Sequence, residues 1–301
     1  MKYDLIIIGA GPAGLTSGLY AARYKLKILI IGKIIGGLTG EAYEVCNFPS
    51  HEKITGMELI RKMVKQVKKI GVEIKQEDVL DIKKGKDGFE ILTNKEKYSA
   101  EKIILATGSE RGKLGLDKED EFVGKGVSYC ATCDAGFYKD KIVGIVGGSD
   151  AALTASLLLA KFAKKVYIIY RKDKFFRAEP TWIEEVKKNK KITPIFNSNI
   201  TKLIGKNNLE EVELSSKKKL KLDGIFIEIG SIQNIELAKK LGVKIEDNFI
   251  KVDKKQKTNV KGVFAAGDIT NNPLKQIITA CGEGAIASSS AYDELRENYL
   301  N

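Results

Sequence analysis

Two cysteines near the middle of the chain have the type and spacing for redox or metal chemistry. Cys130 and Cys133 flank Ala131 and Thr132, and Asp134 follows directly. Two thiols separated by two residues are able to close a small disulfide ring, and such a pair is also half of a common zinc site. The carboxyl group of Asp134 is able to move the proton that disulfide reduction requires.

The composition limits what can surround this pair. A length of 301 residues with 43% hydrophobic residues is enough for two domains with full cores. No apolar run approaches the ~18 residues of a membrane span, and the apolar N-terminal stretch is too short for a signal peptide. Four cysteines make a poor secreted disulfide framework. We therefore expect a soluble, cytoplasmic protein with no membrane partner.

The net charge of +12 comes from lysines scattered along the chain, not from one basic block. Such scatter is typical of a solvated surface. Because no basic tail and no interleaved aromatic stripe is present, we expect no nucleic-acid partner.

A strand, a glycine-rich turn and a helix open the chain. Tyr3 to Ile8 is apolar, Gly9-Ala10-Gly11-Pro12-Ala13-Gly14 follows, and Leu15 to Tyr24 continues as a helix. Lys27 to Ile31 supplies the next buried strand. This βαβ pattern predicts a dinucleotide site with the pyrophosphate at the helix N-terminus.

The residues after this second strand depart from the usual pattern, in which an acid binds the ribose. Ile30-Ile31-Gly32-Lys33 contains no acid, so the ribose must be held in another way. The flexible stretch Gly36 to Thr39 is suited to lie along a flavin dinucleotide. Near the C-terminus, a strand ending in Ala265-Ala266-Gly267 projects Asp268 from its carboxyl end, where ligands bind in open α/β sheets.

The same pattern recurs after the cysteines. Lys141 to Val146 is a predicted strand, Gly147-Gly148-Ser149-Asp150-Ala151-Ala152 a turn, Leu153 to Phe162 a helix and Val166 to Tyr170 a strand. Ser149 replaces the middle glycine, which brings a side chain near the pyrophosphate.

Three cations, Arg171, Lys172 and Arg177, follow this second strand. Cations at this position favour the ribose 2′-phosphate of NADP over NAD. An ordinary solvated basic loop is the alternative interpretation.

Together these motifs resemble the low-molecular-weight thioredoxin reductases over nearly the whole chain. The shared motifs, in family order, are GAGPAG at Gly9, ATG at Ala106, CATCD at Cys130, GGSDAA at Gly147, RKxxxxR at Arg171 and GVFAAGD at Gly262. The resemblance implies an α/β fold of two three-layer, Rossmann-like domains, with the second inserted into the first. Residues 1–114 and 246–301 would bind FAD, and residues 115–245 would bind NADP and carry the CxxC.

The resemblance also implies a mechanism. NADPH would reduce FAD, one domain would rotate against the other about hinges near Lys113 to Gly115 and Ile245 to Asn248, and electrons would pass to thioredoxin or a glutaredoxin-like protein. Cys133 would lie against the flavin, Cys130 would attack the partner disulfide, and Asp134 would donate and accept protons. Members of the family are homodimers.

The implied cofactor contacts form two sets. The FAD set is Gly9, Gly11, Pro12, Ala13, Gly14, Gly32, Lys33, Gly36, Gly37, Leu38, Thr39, Asn47, Ala106, Thr107, Gly108, Gly267, Asp268, Lys275, Gln276 and Ile277. The NADP set is Gly147, Gly148, Ser149, Asp150, Ala151, Arg171, Lys172 and Arg177.

The chain departs from the family mainly at the predicted donor site. Ser149 replaces a glycine, Tyr170 replaces the histidine of the basic motif, and Asn234 lacks its usual preceding proline. In the flavin loop, Leu38 stands where the family usually has glutamine. One alternative is therefore a flavin-dependent reductase with another donor, such as reduced ferredoxin or another reduced flavin.

A second alternative makes the CxxC a structural zinc site on a flavin-binding protein. It requires further ligands, and the two other cysteines, Cys46 and Cys281, are single. We expect both to be small buried hydrophobes, and no metal site.

Overall fold

The computed structural model describes the backbone of residues 2–300 and the side chains of residues 2–297. Within them the chain forms two compact units. The first unit contains 2–40, Val45–Glu110 and 233–300, and the second contains Glu41–Glu44 and Arg111–Ile232. No helix in the described part of the chain combines the length and hydrophobicity needed to span a membrane.

The first unit begins with the predicted strand, turn and helix. Its elements up to residue 105 are β1 (Lys2–Ile8), α1 (Pro12–Arg23), β2 (Ile28–Ile31), α2 (Gly56–Lys69), β3 (Glu73–Lys75), β4 (Val79–Gly85), β5 (Gly88–Thr93) and β6 (Lys97–Leu105). Helix α2 starts at a capping box, in which the side chains of Thr55 and Glu58 form hydrogen bonds with each other's backbone amides.

The central part of the chain follows. Its elements are β7 (Ser109–Arg111), β8 (Val127–Ser128), α3 (Ala131–Asp134), β9 (Ile142–Val146), α4 (Asp150–Phe162), β10 (Lys165–Ile169), α5 (Pro180–Lys188), β11 (Ile192–Ile195), β12 (Ile200–Ile204), β13 (Glu211–Leu214), β14 (Lys219–Lys221), β15 (Gly224–Ile227) and β16 (Ser231–Gln233). The predicted second βαβ pattern is confirmed as β9, α4 and β10.

The chain then returns to the first unit. The remaining elements are α6 (Glu236–Lys240), β17 (Ile245–Glu246), β18 (Phe249–Ile250), β19 (Val263–Ala265) and α7 (Ile277–Leu300).

The first sheet has seven strands in the order β3-β2-β1-β6-β5-β4, with β19 also paired to β6. Strands β1, β2, β6 and β19 are parallel, and their ends are in register: Ile8 pairs with both Ile31 and Leu105. Alternating residues of β1 enter two different cores, with Ile6 in one and Ile7 in the other. The sheet is therefore covered on both faces, as expected for a doubly wound fold.

The second sheet is wholly parallel, in the order β11-β10-β9-β15-β8. Val146 pairs with Ile169 and Ile227 at the carboxyl end, and Ser128 pairs with Phe226. Two further cores cover its faces. The predicted α/β class is confirmed.

The boundaries between the units differ from the predicted ones. They fall within β7 and β16 instead of after residues 114 and 245. Residues 233–245 belong to the first unit because Ile235, Ala238 and Val243 are buried in the same core as β1. The predicted hinge at residues 245–248 is a hairpin turn between β17 and β18, in which Asp247 and Asn248 have positive φ.

Candidate functional site

The CxxC lies immediately after β8, at the carboxyl edge of the second sheet. Cys130 and Cys133 form a disulfide, and Cys130 caps the four-residue helix α3 by accepting a hydrogen bond from the Cys133 amide at 3.2 Å. Cys133 is exposed, whereas Cys130 is half-buried. The pair is therefore held by local backbone geometry and remains open to a partner on one side.

Asp134 is bonded to the strand that precedes the disulfide. The Ser128 hydroxyl donates to Asp134 Oδ2 at 2.7 Å and accepts from the Cys130 amide at 3.1 Å. The Asp134 amide in turn donates to the Cys130 carbonyl at 3.2 Å. The predicted catalytic residues are thus brought together, with Ser128 as a further member that the sequence alone did not indicate.

The first glycine turn is built by close backbone packing. Gly9 has φ +116°, and a Cβ there would overlap the Ala106 carbonyl. A Cβ at Gly14 would overlap the Gly9 carbonyl oxygen. At Gly11, by contrast, the nearest atom to an added Cβ is the Gly36 carbonyl oxygen at 3.9 Å, so space is left above the turn.

The loop after β2 packs on this turn. The Gly36 amide donates to the Ala10 carbonyl at 2.8 Å, and a Cβ at Gly32 would lie 2.7 Å from Ala10. Gly37 begins a short 3₁₀ helix that ends at Glu41 and includes Leu38 and Thr39. The structure therefore brings the predicted flavin loop against the N-terminus of α1.

Asp268 lies just beyond β19 and is half-buried. Burial raises the pKa of Asp268, and the positive charge of Lys275 opposes this shift. Burial also lowers the pKa of Lys275, whereas the negative charges of Glu283 and Asp268 act to raise it. The Asn47 amide donates to Gln276 Oε1 at 3.0 Å, which joins two more predicted flavin contacts.

Glu283 fixes the turn that carries Asp268, and sequence reasoning missed it. Its buried carboxylate accepts from the Gly267 amide at 2.8 Å, the Thr270 hydroxyl at 2.7 Å and the Asn272 amide at 2.6 Å. The only signal in the sequence was an acid within a stretch of small residues in α7.

These features fit FAD. No side chain caps the first turn of α1, so its amides face the space beside Gly11. A helix N-terminus of this kind favours a pyrophosphate. Gly32 to Thr39 and Ala106 to Gly108 leave the sheet beside it, and Asp268 adds a carboxylate able to accept hydroxyl hydrogen bonds.

The second glycine turn also packs against a backbone carbonyl, that of Glu228 at Gly147, but side chains take part in it as well. The ring of Tyr170 lies beneath Gly148, 2.5 Å from where a Cβ would be. Ser149 precedes α4 without capping it, and Asp150 Oδ1 accepts from the Glu179 amide at 2.6 Å. The helix N-terminus is therefore available to a ligand, although an acid lies in its first turn.

The basic loop that follows β10 is anchored by aromatic rings. Phe175 stacks on Tyr170 with centroids 5.9 Å apart and meets Phe196 edge-on at 4.9 Å. Arg171, Lys172 and Arg177 are all exposed. Phe175 is half-buried against these rings, and the three cations lie in solvent.

An ion-pair cluster adjoins the second turn. Arg111 contacts Glu228 and Glu41, each at 2.7 Å. Burial raises the pKa of Glu228, and Arg111 opposes this by charge and hydrogen bonding. Glu228 follows β15 at the same level as Gly147. Neither Arg111 nor Glu228 was predicted from the sequence, because their ion pair joins two strands that lie far apart in the chain.

The remaining cysteines do not extend the CxxC. Cys46 is exposed, so the prediction of a buried hydrophobe is wrong there, and Cys281 is half-buried with its pKa raised by burial. Among the described residues, no group of three or more His, Cys, Asp and Glu side chains is arranged to hold a metal ion.

Comparison with known proteins agrees with this geometry. The model of the pyridine nucleotide-disulphide oxidoreductase family matches residues 3–284. A thioredoxin reductase of Peptoclostridium acidaminophilum is 39% identical, with 99% of this chain and 98% of that protein covered. The chain belongs to this family and, within it, to the thioredoxin reductases.

Solved structures give the same result. The crystal structure of Lactococcus lactis thioredoxin reductase is similar with a TM-score of 0.94 and 34% identity, over 98% of this chain and 99% of that one. A ferredoxin-flavin thioredoxin reductase from Clostridium acetobutylicum covers the same fractions at 34% identity, with a TM-score of 0.55. Thioredoxin reductases of the pyridine nucleotide-disulphide oxidoreductase family use FAD and NADPH.

Proposed function

We propose that this thioredoxin reductase takes electrons from NADPH and passes them through FAD and the Cys130–Cys133 pair to thioredoxin. The observation that carries the proposal is the position of the CxxC. The disulfide, its adjacent acid and a second dinucleotide turn share the carboxyl edge of one parallel sheet. Ligands of such sheets bind at this edge.

In the first unit, bound FAD would supply the two-electron carrier between nicotinamide and disulfide. The chain's own part is to bind it. The Gly9 to Gly14 turn and the N-terminus of α1 would hold the pyrophosphate, and Asp268 would accept hydrogen bonds from hydroxyl groups. Glu283 keeps the turn that carries Asp268 in place.

The exchange step with thioredoxin follows from the chemistry of the pair. The Cys130 thiolate attacks one thioredoxin sulfur, which forms a mixed disulfide and releases the other sulfur as a thiolate. The Cys133 thiolate then attacks Cys130, re-forms the internal disulfide and releases the second sulfur. Two electrons pass to thioredoxin, and the two thiol protons follow. Asp134 takes up each proton and returns it to a leaving sulfur.

NADPH is favoured as donor by Arg171, Lys172 and Arg177, which follow β10 where a ribose 2′-phosphate would lie. Reduced ferredoxin or another flavin is the second candidate. Ser149 and Asp150 at the N-terminus of α4 favour it, because they add a side chain and a negative charge at a pyrophosphate site.

The family resemblance supports three further proposals. The first unit would be the FAD domain and the second the NADP domain, and they would rotate about the boundaries in β7 and β16. The chain would act as a cytoplasmic homodimer. Its partner would be thioredoxin or a glutaredoxin-like protein.

Anaerobic titration with NADPH tests the donor. We expect the flavin absorbance of the purified protein to bleach after about two equivalents of NADPH, because FAD and the Cys130–Cys133 disulfide each take two electrons. NADH should bleach it less readily. If reduced ferredoxin bleaches the flavin and NADPH does not, the second candidate replaces NADPH as the proposed electron donor.

Cys130→Ser tests the path to thioredoxin, with Cys46→Ser as the matched control. The variant should retain FAD and its reduction by NADPH but lose thioredoxin reduction, whereas the control should keep all three activities. Loss of flavin from Cys130→Ser would contradict the separation of the two functions between units.

A further inference from the structure

We infer that Ser128 is a positioning residue for Asp134 in proton transfer at the Cys130–Cys133 pair. This inference rests on the proposed function, since it concerns the acid of that mechanism. Ser128 bonds both Asp134 and the backbone of Cys130 and lies at the end of a sheet strand.

The anchor is rigid. Ser128 is 3% exposed and pairs in register with Phe226 of β15, which is itself fully buried. The serine hydroxyl is therefore fixed by the sheet, whereas the Asp134 side chain projects from a four-residue helix with little support of its own. Sites held by regular elements are more precise than sites on loops.

The hydrogen-bond inventory gives the bond a direction. A serine hydroxyl has one proton to donate and accepts with its lone pairs. The proton goes to Asp134 Oδ2 at 2.7 Å, because the other acceptor, the Cys130 carbonyl, is at 3.4 Å. The Ser128 oxygen accepts a hydrogen bond from the Cys130 amide. Oδ2 is thus occupied, and Oδ1 is the oxygen left to exchange a proton with a sulfur.

Other titratable groups near Asp134 do not replace it. The pKa of Tyr138 is raised, first by its burial and then by the negative charges of Asp134 and Asp223. Tyr138 therefore stays a neutral phenol at physiological pH. Lys141 lies over the Tyr138 ring, 5.4 Å from its centroid. Asp134 is left as the group that cycles a proton, and Ser128 sets its orientation.

The test measures the exchange step alone, so that it does not depend on the electron donor. Protein pre-reduced with dithionite is mixed anaerobically with oxidised thioredoxin in a stopped-flow instrument between pH 5 and 9. Ser128→Ala should react roughly tenfold more slowly, the effect of losing one hydrogen bond to a charged group. The pH profile of the rate should also differ from that of the wild type, because proton transfer at the sulfurs has lost a positioned partner.

A double variant separates positioning from an independent role. Asp134→Asn should slow the exchange and change its pH profile, and Ser128→Ala combined with Asp134→Asn should react no more slowly than Asp134→Asn alone. If the two losses multiply, Ser128 acts independently of Asp134 and the inference is overturned. If Asp134→Asn reacts like the wild type, the role of Asp134 in the proposed function fails instead.

Two isosteric variants guard against a folding defect in Ser128→Ala. Ser128→Thr keeps the hydroxyl and Ser128→Val removes it at the same size, and both suit a strand. Thr should restore most of the rate and Val should not; equal rates for the two would overturn the inference. Ser198→Ala, which removes another buried serine of the second unit, should leave the rate and its pH profile unchanged.

Discussion

Gly14 and Ala152 occupy equivalent places in the two strand, turn and helix patterns, yet their surroundings differ. A Cβ at Gly14 would overlap the Gly9 carbonyl, whereas the second turn contains Ala152 without overlap. Gly11 likewise leaves open space where Ser149 carries a hydroxymethyl group. At these two positions the first turn has a backbone contact or open space, and the second has a side chain.

The residues that follow the flanking strands pack alike by their backbone but differ in their side chains. Ala106 follows β6 and Glu228 follows β15, and the carbonyl of each lies where a Cβ of Gly9 or Gly147 would be. The first unit therefore has a small neutral residue beside its turn, and the second has a buried acid balanced by Arg111. Backbone packing tolerates few substitutions, whereas a turn supported by side chains and charges is able to vary with its ligand.

Of the substitutions that test this comparison, we expect Gly14→Ala to change the free energy of unfolding the most. Because the added Cβ meets a backbone carbonyl and not a flexible side chain, we expect a loss of about 4 kcal/mol or more in the free energy of unfolding, together with loss of FAD. The reciprocal change, Ala152→Gly, should cost only about 1 kcal/mol of helix propensity. Denaturant unfolding and flavin content measure both; equal losses would contradict the comparison.

Arg111→Met should give the next largest effect. It leaves Glu228 buried without its cation, which typically costs about 3 kcal/mol or more. Because protonation removes the unpaired charge, the deficit should be smaller at pH 5 than at pH 8. Adding Glu228→Ala, which copies Ala106, should recover most of the loss. Lys113→Met removes an exposed ion pair and serves as control, with a change of about 1 kcal/mol or less.

Arg177→Ala tests whether the second turn serves NADPH. Losing a charge-assisted hydrogen bond to the 2′-phosphate should raise the KM for NADPH about tenfold and leave the KM for NADH unchanged. Lys174→Ala, a cation removed from the same loop, is the control. An equal rise in KM for both nucleotides would mean that the basic loop is an ordinary solvated loop and does not recognise the 2′-phosphate.

Asp268→Asn should give the smallest effect, on the pH dependence of stability. Because burial holds the pKa of Asp268 above its ordinary value of 3.8, the folded state keeps a proton that the unfolded state releases. The Asp268 contribution to stability therefore falls as pH rises from about 4 to the raised pKa. In flavin-free protein, the Tm of Asp268→Asn relative to wild type should increase over this range, within about 3 °C. A constant difference would contradict the assigned shift.

Much of this protein follows from local sequence. The glycine spacing around Gly9 and Gly147 predicted the two βαβ patterns, because each turn depends on residues a few positions apart. The Cys130–Cys133 pair is of the same kind, since two intervening residues suffice to bring the sulfurs together. The order of the motifs along the chain was enough to indicate the family.

Only the tertiary structure decided what joins distant segments. The return to the first unit at residue 233, and not 246, depends on whether Ile235 and Val243 enter the core of β1. The contacts of Glu283 with Gly267 and of Arg111 with Glu228 form only when the strands and helices that carry these residues are packed together. Such pairings are set by packing over long chain separations, which leave no periodic trace in the sequence, whereas turns, caps and the CxxC are determined by their own few residues.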